Sequence, residues 1–246
     1  MQSYLFLAYA AFHLGLLGWG WRQWGPAGRP VALTMTLVAN TLLWYDNFRI
    51  GIGRFIGPGE LLHDLSMPAF VWHWTMVPAF VIVAGSIARL AGFGWARNRL
   101  VMGLFCLGAA VLFAKDVPYT TGLLFGDGPI GAIEIRPACI GDTVRYSTKV
   151  AEKYLCSPGD EPIANGPSPL PAIAMNFVMT GVGIALWARR RWPWLAVGPG
   201  LMFVAAAPLW GDWAMPAANF GEILFTVAVM ATILRFSPGH AGRAAG

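Results

Sequence analysis

Charged residues are scarce in this chain: 12% of its 246 residues are Asp, Glu, Lys or Arg, against 57% hydrophobic. A soluble domain carries about 25% charge, so nothing here suggests a water-soluble fold. Common catalytic signatures are missing as well. The absence of HExxH, a Walker loop, CxxCH, paired DDxxD and GxSxG removes the usual signals of metalloproteases, nucleotide enzymes, c-type haem proteins, prenyltransferases and serine hydrolases. His13, His63, His73 and His240 are too dispersed for a metal cluster. Neither metal nor cofactor is therefore expected. Residues 217–235 contain no lysine, which excludes a retinal Schiff base there. The net charge of +5 includes a run of only three arginines, 189–191, too few for a nucleic-acid patch.

What is abundant is apolar sequence. Seven spans, approximately 3–20, 31–48, 67–90, 99–115, 171–188, 193–211 and 217–235, are each long enough to cross or nearly cross a hydrocarbon core. Threading the chain through them places Arg22, Arg29, Arg89, Arg97, Arg99, Arg189, Arg190, Arg191, Arg235 and Arg243 on one side, with no Asp or Glu among them. All twelve carboxylates fall on the other side. Basic excess in short loops marks the cytoplasmic face. The expectation is a single all-α membrane domain over 1–246, a seven-helix bundle, multi-pass in the plasma (inner) membrane, with its N-terminus outside and its C-terminus cytoplasmic. The first span has no charged leading region or small-residue cleavage pattern and reads as a retained helix. Many of the 12 Trp sit near span ends, as interfacial anchors do.

The one long connection, 117–170, lies on the acidic side. The sequence predicts a helix from Thr143 to Leu155 with Asp142 as its N-cap. Cys139 and Cys156 bracket that stretch, and an oxidising compartment would let them pair and pin a lid. The loop is also the natural place to dock a protein partner. Cys106, inside the fourth span, reads as a small packing residue. Residues 51–68 are too polar and glycine-broken to span and read as a re-entrant or surface-lying element, from which Glu60 or His63 could join a site if the segment dips inward.

The polar residues of the spans fall at one depth. Asp46 and Asn47 near the end of span two, His73 in span three, Lys115 and Asp116 at the end of span four, Asn176 in span five, and Asn219 and Glu222 in span seven form a layer roughly 5 to 10 Å below the boundary. His13 is the ionisable exception outside it. Carboxyl groups in hydrocarbon are functional candidates by default. The bland alternatives are that Asp46 pairs with Arg49 or Arg54 and Asp116 with Lys115, that His73 is a buried hydrogen-bond partner, and that Asn176 and Asn219 only join helices. Pro68, Pro78 and Pro216 would bend helices around a cavity, and Trp44, Tyr45, Trp72, Trp74 and Phe220 could wall it.

These parts suit acid and base chemistry on an apolar, lipid-soluble substrate. The catalytic candidates are Asp46, Glu222, His73 and Asp116, with Trp44, Tyr45, Asn47, Trp72, Asn176, Asn219 and Phe220 as substrate-binding candidates. A carboxylic acid protonates an alkene or epoxide, aromatic faces stabilise the cation, and a base removes a proton. The stretches Trp44-Tyr45-Asp46-Asn47 and Asn219-Phe220-Gly221-Glu222, in a seven-span chain of this length, resemble the integral-membrane terpene cyclases of fungal meroterpenoid pathways. That resemblance implies that Asp46 and Glu222 occupy the two essential acid positions; the loop 117–170 departs from the family pattern. The other readings are an accessory or assembly subunit of a larger membrane complex, and a transporter or a haem or metal protein using His13, His73 and Asp46.

Overall fold

A computed structural model describes residues 1–241 of the chain; Arg243 and the side chain of His240 lie outside that description. The helices are α1 (Gln2–Trp24), α2 (Val31–Ile56), α3 (Glu60–Met76), α4 (Phe80–Leu90), α5 (Gly94–Arg97), α6 (Arg99–Phe125), α7 (Leu170–Arg190), α8 (Trp194–Ala205), α9 (Ala214–Phe236) and α10 (Pro238–Ala241). Between α6 and α7 lie four short strands, β1 (Arg136–Ile140), β2 (Thr143–Ser147), β3 (Lys149–Val150) and β4 (Ile163–Ala164).

Four helical stretches are long and apolar enough to cross a membrane: Glu60–Leu90, Arg99–Phe125, Leu170–Arg190 and Gly211–Phe236. They mark the chain as a membrane protein. In α1 and α2 the length is present, 23 and 26 residues, but polar side chains dilute the hydropathy, notably Asn40, Asp46, Asn47, Arg49 and Arg54 in α2. With 12 residues, α8 is too short to cross alone, since a hydrocarbon core needs about 20.

The bundle packs around α4, which touches α2, α6, α7 and α9. Leu33, Leu37, Ile87, Met179, Leu186, Met230 and Ile233 are fully buried there. The reverse holds for α6. Leu100, Leu104, Leu107, Val111 and Phe125 stand exposed along it. Bare in water, such a face would be a large apolar patch; against lipid tails it is matched to its solvent. Cys106 lies exposed on this helix rather than packed inside, a correction to the packing role expected of it.

The segment between α6 and α7 is also corrected. No helix runs from Thr143 to Leu155. Instead β1 and β2 form an antiparallel hairpin from Arg136↔Ser147 to Ile140↔Thr143, and only a single 3-10 turn, Glu152–Tyr154, is helical. The run Thr143-Val144-Arg145-Tyr146 is rich in β-branched and aromatic residues, which favour a strand when a partner is within reach. The partner is supplied by the two-residue turn Gly141-Asp142, where Gly141 takes φ +60° as the first residue of a primed hairpin turn must. Cys139 and Cys156 do form a disulfide, with Cα atoms 5.1 Å apart, and it ties β1 to the chain beyond that turn.

This strand segment is a roof seated on one end of the bundle. Asp142, expected as an N-cap, is the fastening at its tip: it accepts from the Gln2 amide at 2.6 Å and from Arg54 at 2.8 Å, and it meets the Met1 amino group. Ser3 donates to the Asp142 carbonyl at 2.8 Å. Tyr146 bonds Gly59 in the α2–α3 turn. The segment 51–68, expected as a re-entrant or surface-lying element, is helical except at 57–59, since α2 continues through 51–56 and α3 starts at Glu60. Gly53 is what admits the roof, because any Cβ there would collide with the Val144 carbonyl.

Candidate functional site

Asp46 on α2 lies within electrostatic reach of His73 on α3 and of Glu222 on α9. Its Oδ1 accepts from Arg49 Nε at 2.9 Å and Nη2 at 2.7 Å. The bland expectation put this pair at the wet boundary. Arg49 is instead only 5% exposed, donates to Ser66 Oγ at 3.1 Å and lies over the Phe70 ring. The ion pair is therefore part of the α2–α3 contact. Sequence reasoning missed Arg49 as a site component, because a surface pair and a buried pair share the same i, i+3 spacing.

Glu222, on α9, is partly buried and lies close enough to Asp46 to feel its charge. Its own carbonyl accepts from Thr226 at 2.8 Å, yet among the described residues no hydrogen bond or ion pair reaches its carboxyl group. The two acids thus share a neighbourhood and differ in partners. His73 sits in the electrostatic reach of Asp46, Arg49 and Asp116. It lines a cavity of about 250 Å³ together with Trp74, Asp116 and Lys149. Asp116 is 4% exposed and held by Lys115 at 2.8 Å, so the expected Lys115 partner is present, beneath the surface.

The asparagines behave alike. Asn47, Asn176 and Asn219 each donate to the carbonyl four residues earlier, Leu43, Ala172 and Met215. Each leaves its Oδ1 buried without a partner. Asn176 also reaches the Met202 sulfur on α8 at 3.8 Å, whereas Asn219 bonds within its own helix. Among the aromatics, Tyr45 donates to the Leu65 carbonyl at 2.7 Å, and Trp44 stacks on Phe48 while packing on the main core. Trp72 is half-buried. Phe220 is 48% exposed and leans on Tyr9 of α1. Glu60 and Asp64 are exposed, and His63 pairs with Asp64 at 3.1 Å and meets Tyr146 edge-on, so these three stay on the surface.

Arg145, which sequence reasoning passed over, points from β2 toward the buried pair. Burial, with the nearby Arg49 charge, lowers its pKa from 12.5 to about 10, although Asp46 opposes the shift. It lines a cleft of about 620 Å³ between the roof and the start of α9. Its only sequence signal is a basic residue in an otherwise strand-like run. His13, on α1, shares a 2.6 Å hydrogen bond with Asn40 through Nδ1, while its Nε2 is buried without a partner among the described residues. Among the described residues no cluster of three metal-binding side chains occurs. Comparison with protein-family models, curated proteins and solved structures finds no match to this chain.

Proposed function

We propose that this is a membrane enzyme of the cyclase or isomerase type, using carboxyl groups to move a proton on an apolar lipid or isoprenoid substrate. One observation carries the reading: two neighbouring acids, Asp46 paired with a buried guanidinium and Glu222 with no cation partner. A carboxylate beside Arg stays ionised, whereas an unpartnered carboxyl in apolar surroundings is most stable as the neutral acid. The roles divide accordingly. Glu222 gives its proton to an alkene or epoxide, leaving a carbocation and a Glu222 carboxylate; Asp46 supplies fixed negative charge beside the cation. Loss of a proton from the rearranged cation returns it to a carboxylate and closes the cycle without net redox change. The short stretches around Asp46 and Glu222 that resemble membrane terpene cyclases agree with this assignment.

The same proposal keeps the seven crossings expected from the sequence, with the roof outside and the sixth crossing made by α8 together with residues 206–211. The support is that threading leaves ten arginines on one side with no carboxylate among them and all twelve carboxylates on the other, and a C-terminal reporter found outside would end it. The chemical proposal is tested by identifying the apolar molecule that copurifies, by mass spectrometry, and assaying its conversion. Glu222→Gln should lower turnover by about 10²–10⁴-fold; unchanged turnover in both Glu222→Gln and Asp46→Asn at normal expression removes it. Fixed protein partners copurifying in stoichiometric amount, with no bound lipid, would favour the assembly-subunit reading.

A further inference from the structure

The Arg145 side chain is partly withdrawn from water and has no counter-charge of its own. Among the described residues it forms no salt bridge; its Nη1 rests on the Met215 sulfur and its Nε is buried with no acceptor. Asp46 is in electrostatic reach, but its Oδ1 is engaged by Arg49, and Arg49 itself repels Arg145. A desolvated cation left in this state is costly unless an anion neutralises it.

A second cation lines the same cleft. Lys149 uses one N–H on the Pro167 carbonyl, at 3.1 Å, and also borders the smaller cavity beside His73 and Asp116. The one acid of the 620 Å³ cleft is Asp212. It already accepts from Tyr154 at 2.5 Å and has Lys153 at 3.8 Å. The remaining wall is largely apolar, with Ile140, Val150, Ile163 and Ala214. Positive charge next to apolar wall is the recognition chemistry of an amphiphile with an anionic head.

We propose that the roof cleft binds a phosphate-type oxyanion, ligated by Arg145 and Lys149, with the apolar wall receiving the first carbons of an attached tail. This names a head group for the lipid-soluble substrate and rests on the proposed function only for the word substrate.

The test uses the purified full-length chain in detergent at constant ionic strength, reading the thermal unfolding midpoint. Three probes are added in turn: inorganic phosphate, short-chain phosphatidic acid below its micellar concentration, and the matching uncharged diacylglycerol. Phosphatidic acid should raise the midpoint in a concentration-dependent way, as a ligand of the native state does, and diacylglycerol should not. Arg145→Gln should abolish the shift and Lys149→Gln should reduce it. An equal shift from inorganic phosphate keeps the oxyanion site and assigns it to a free anion rather than a lipid. No shift from either phosphate, or one that survives Arg145→Gln, overturns the site. Arg145→Met without ligand guards against a folding defect: an unchanged or higher midpoint agrees with an uncompensated cation, and a marked fall assigns Arg145 to structure and overturns the proposal. Glu222→Gln should retain the phosphatidic-acid shift, so failure of the acid chemistry and failure of the anion site give different results.

Discussion

The two ends of the bundle handle polar groups in opposite ways. At the arginine end the interior is nearly free of charge, and a groove of about 340 Å³ between α8 and α9 is lined by Trp192, Trp194, Leu201, Leu224 and other apolar residues. Trp192 is satisfied by Thr232 at 2.9 Å. Deeper in, His13 and Asn40 bond twice, at 2.6 Å between side chains and at 3.0 Å to the His13 carbonyl. At the roof end, by contrast, Glu222 lacks a partner, three asparagine oxygens are orphaned and Arg145 has no counter-ion of its own. Both ends contain empty volume. Apart from His13 Nε2, the buried polar atoms left without a partner among the described residues lie toward the roof, and that excess, rather than cavity size, points to the site.

The contrast is broken most strongly by removing one member of the buried ion pair. Arg49→Met leaves Asp46 uncompensated and should cost about 3–5 kcal/mol, read by thermal unfolding in detergent. A loss below ~1 kcal/mol would mean that the pair is wet and ordinary. Next in size is the staple of the roof. Replacing Cys139 and Cys156 by Ser should cost about 2–4 kcal/mol. The loss should fall mainly on the roof, so Arg145 becomes accessible to arginine-modifying reagents while far-UV helix content is retained.

Away from the roof, His13→Leu removes the partner of Asn40 Oδ1, although the Asn40 amide nitrogen keeps the residue-13 carbonyl, and should cost about 1–3 kcal/mol while leaving conversion of the copurified molecule intact. A large fall in turnover at normal stability would erase the distinction between the ends. The smallest effect concerns Asp142. Burial pushes its carboxyl up, but the bonds from the Met1 amino group and the Gln2 amide outweigh it and hold the pKa below 3.8. A depressed native value stabilises the fold above the unfolded pKa and loses that contribution as pH falls through the native one. Wild type should therefore lose its advantage over Asp142→Asn only as the pH drops below 3.8, and an advantage already gone at pH near neutrality would show that the fastening is not electrostatic.

Much of the scaffold could be read in advance. The runs that form α4, α6, α7 and α9 are apolar enough to declare themselves, and the pairing of Asp46 with Arg49 and of Asp116 with Lys115 was among the expected alternatives. Three features were hidden. The hairpin was mistaken for a helix because Thr143–Ser147 is short, and its strand preference becomes decisive only opposite Arg136–Ile140. Arg49 carries no mark that separates a buried pairing from an exposed one. Arg145 is partly buried only once the roof brings it against Met215 at the start of α9.

From residue identities alone came the apolar character, the expectation that every carboxylate falls on one side of the spans, and the Cys139–Cys156 pairing. Those follow from what each residue costs to remove from water, a property it carries wherever it goes, and from a count of three cysteines with one inside a span. Which charges neutralise one another was decided only when the chain folded. Pairing depends on the distance between two groups, and the packing of α2 on α3 gave Asp46 a guanidinium while leaving Glu222 and Arg145 without one.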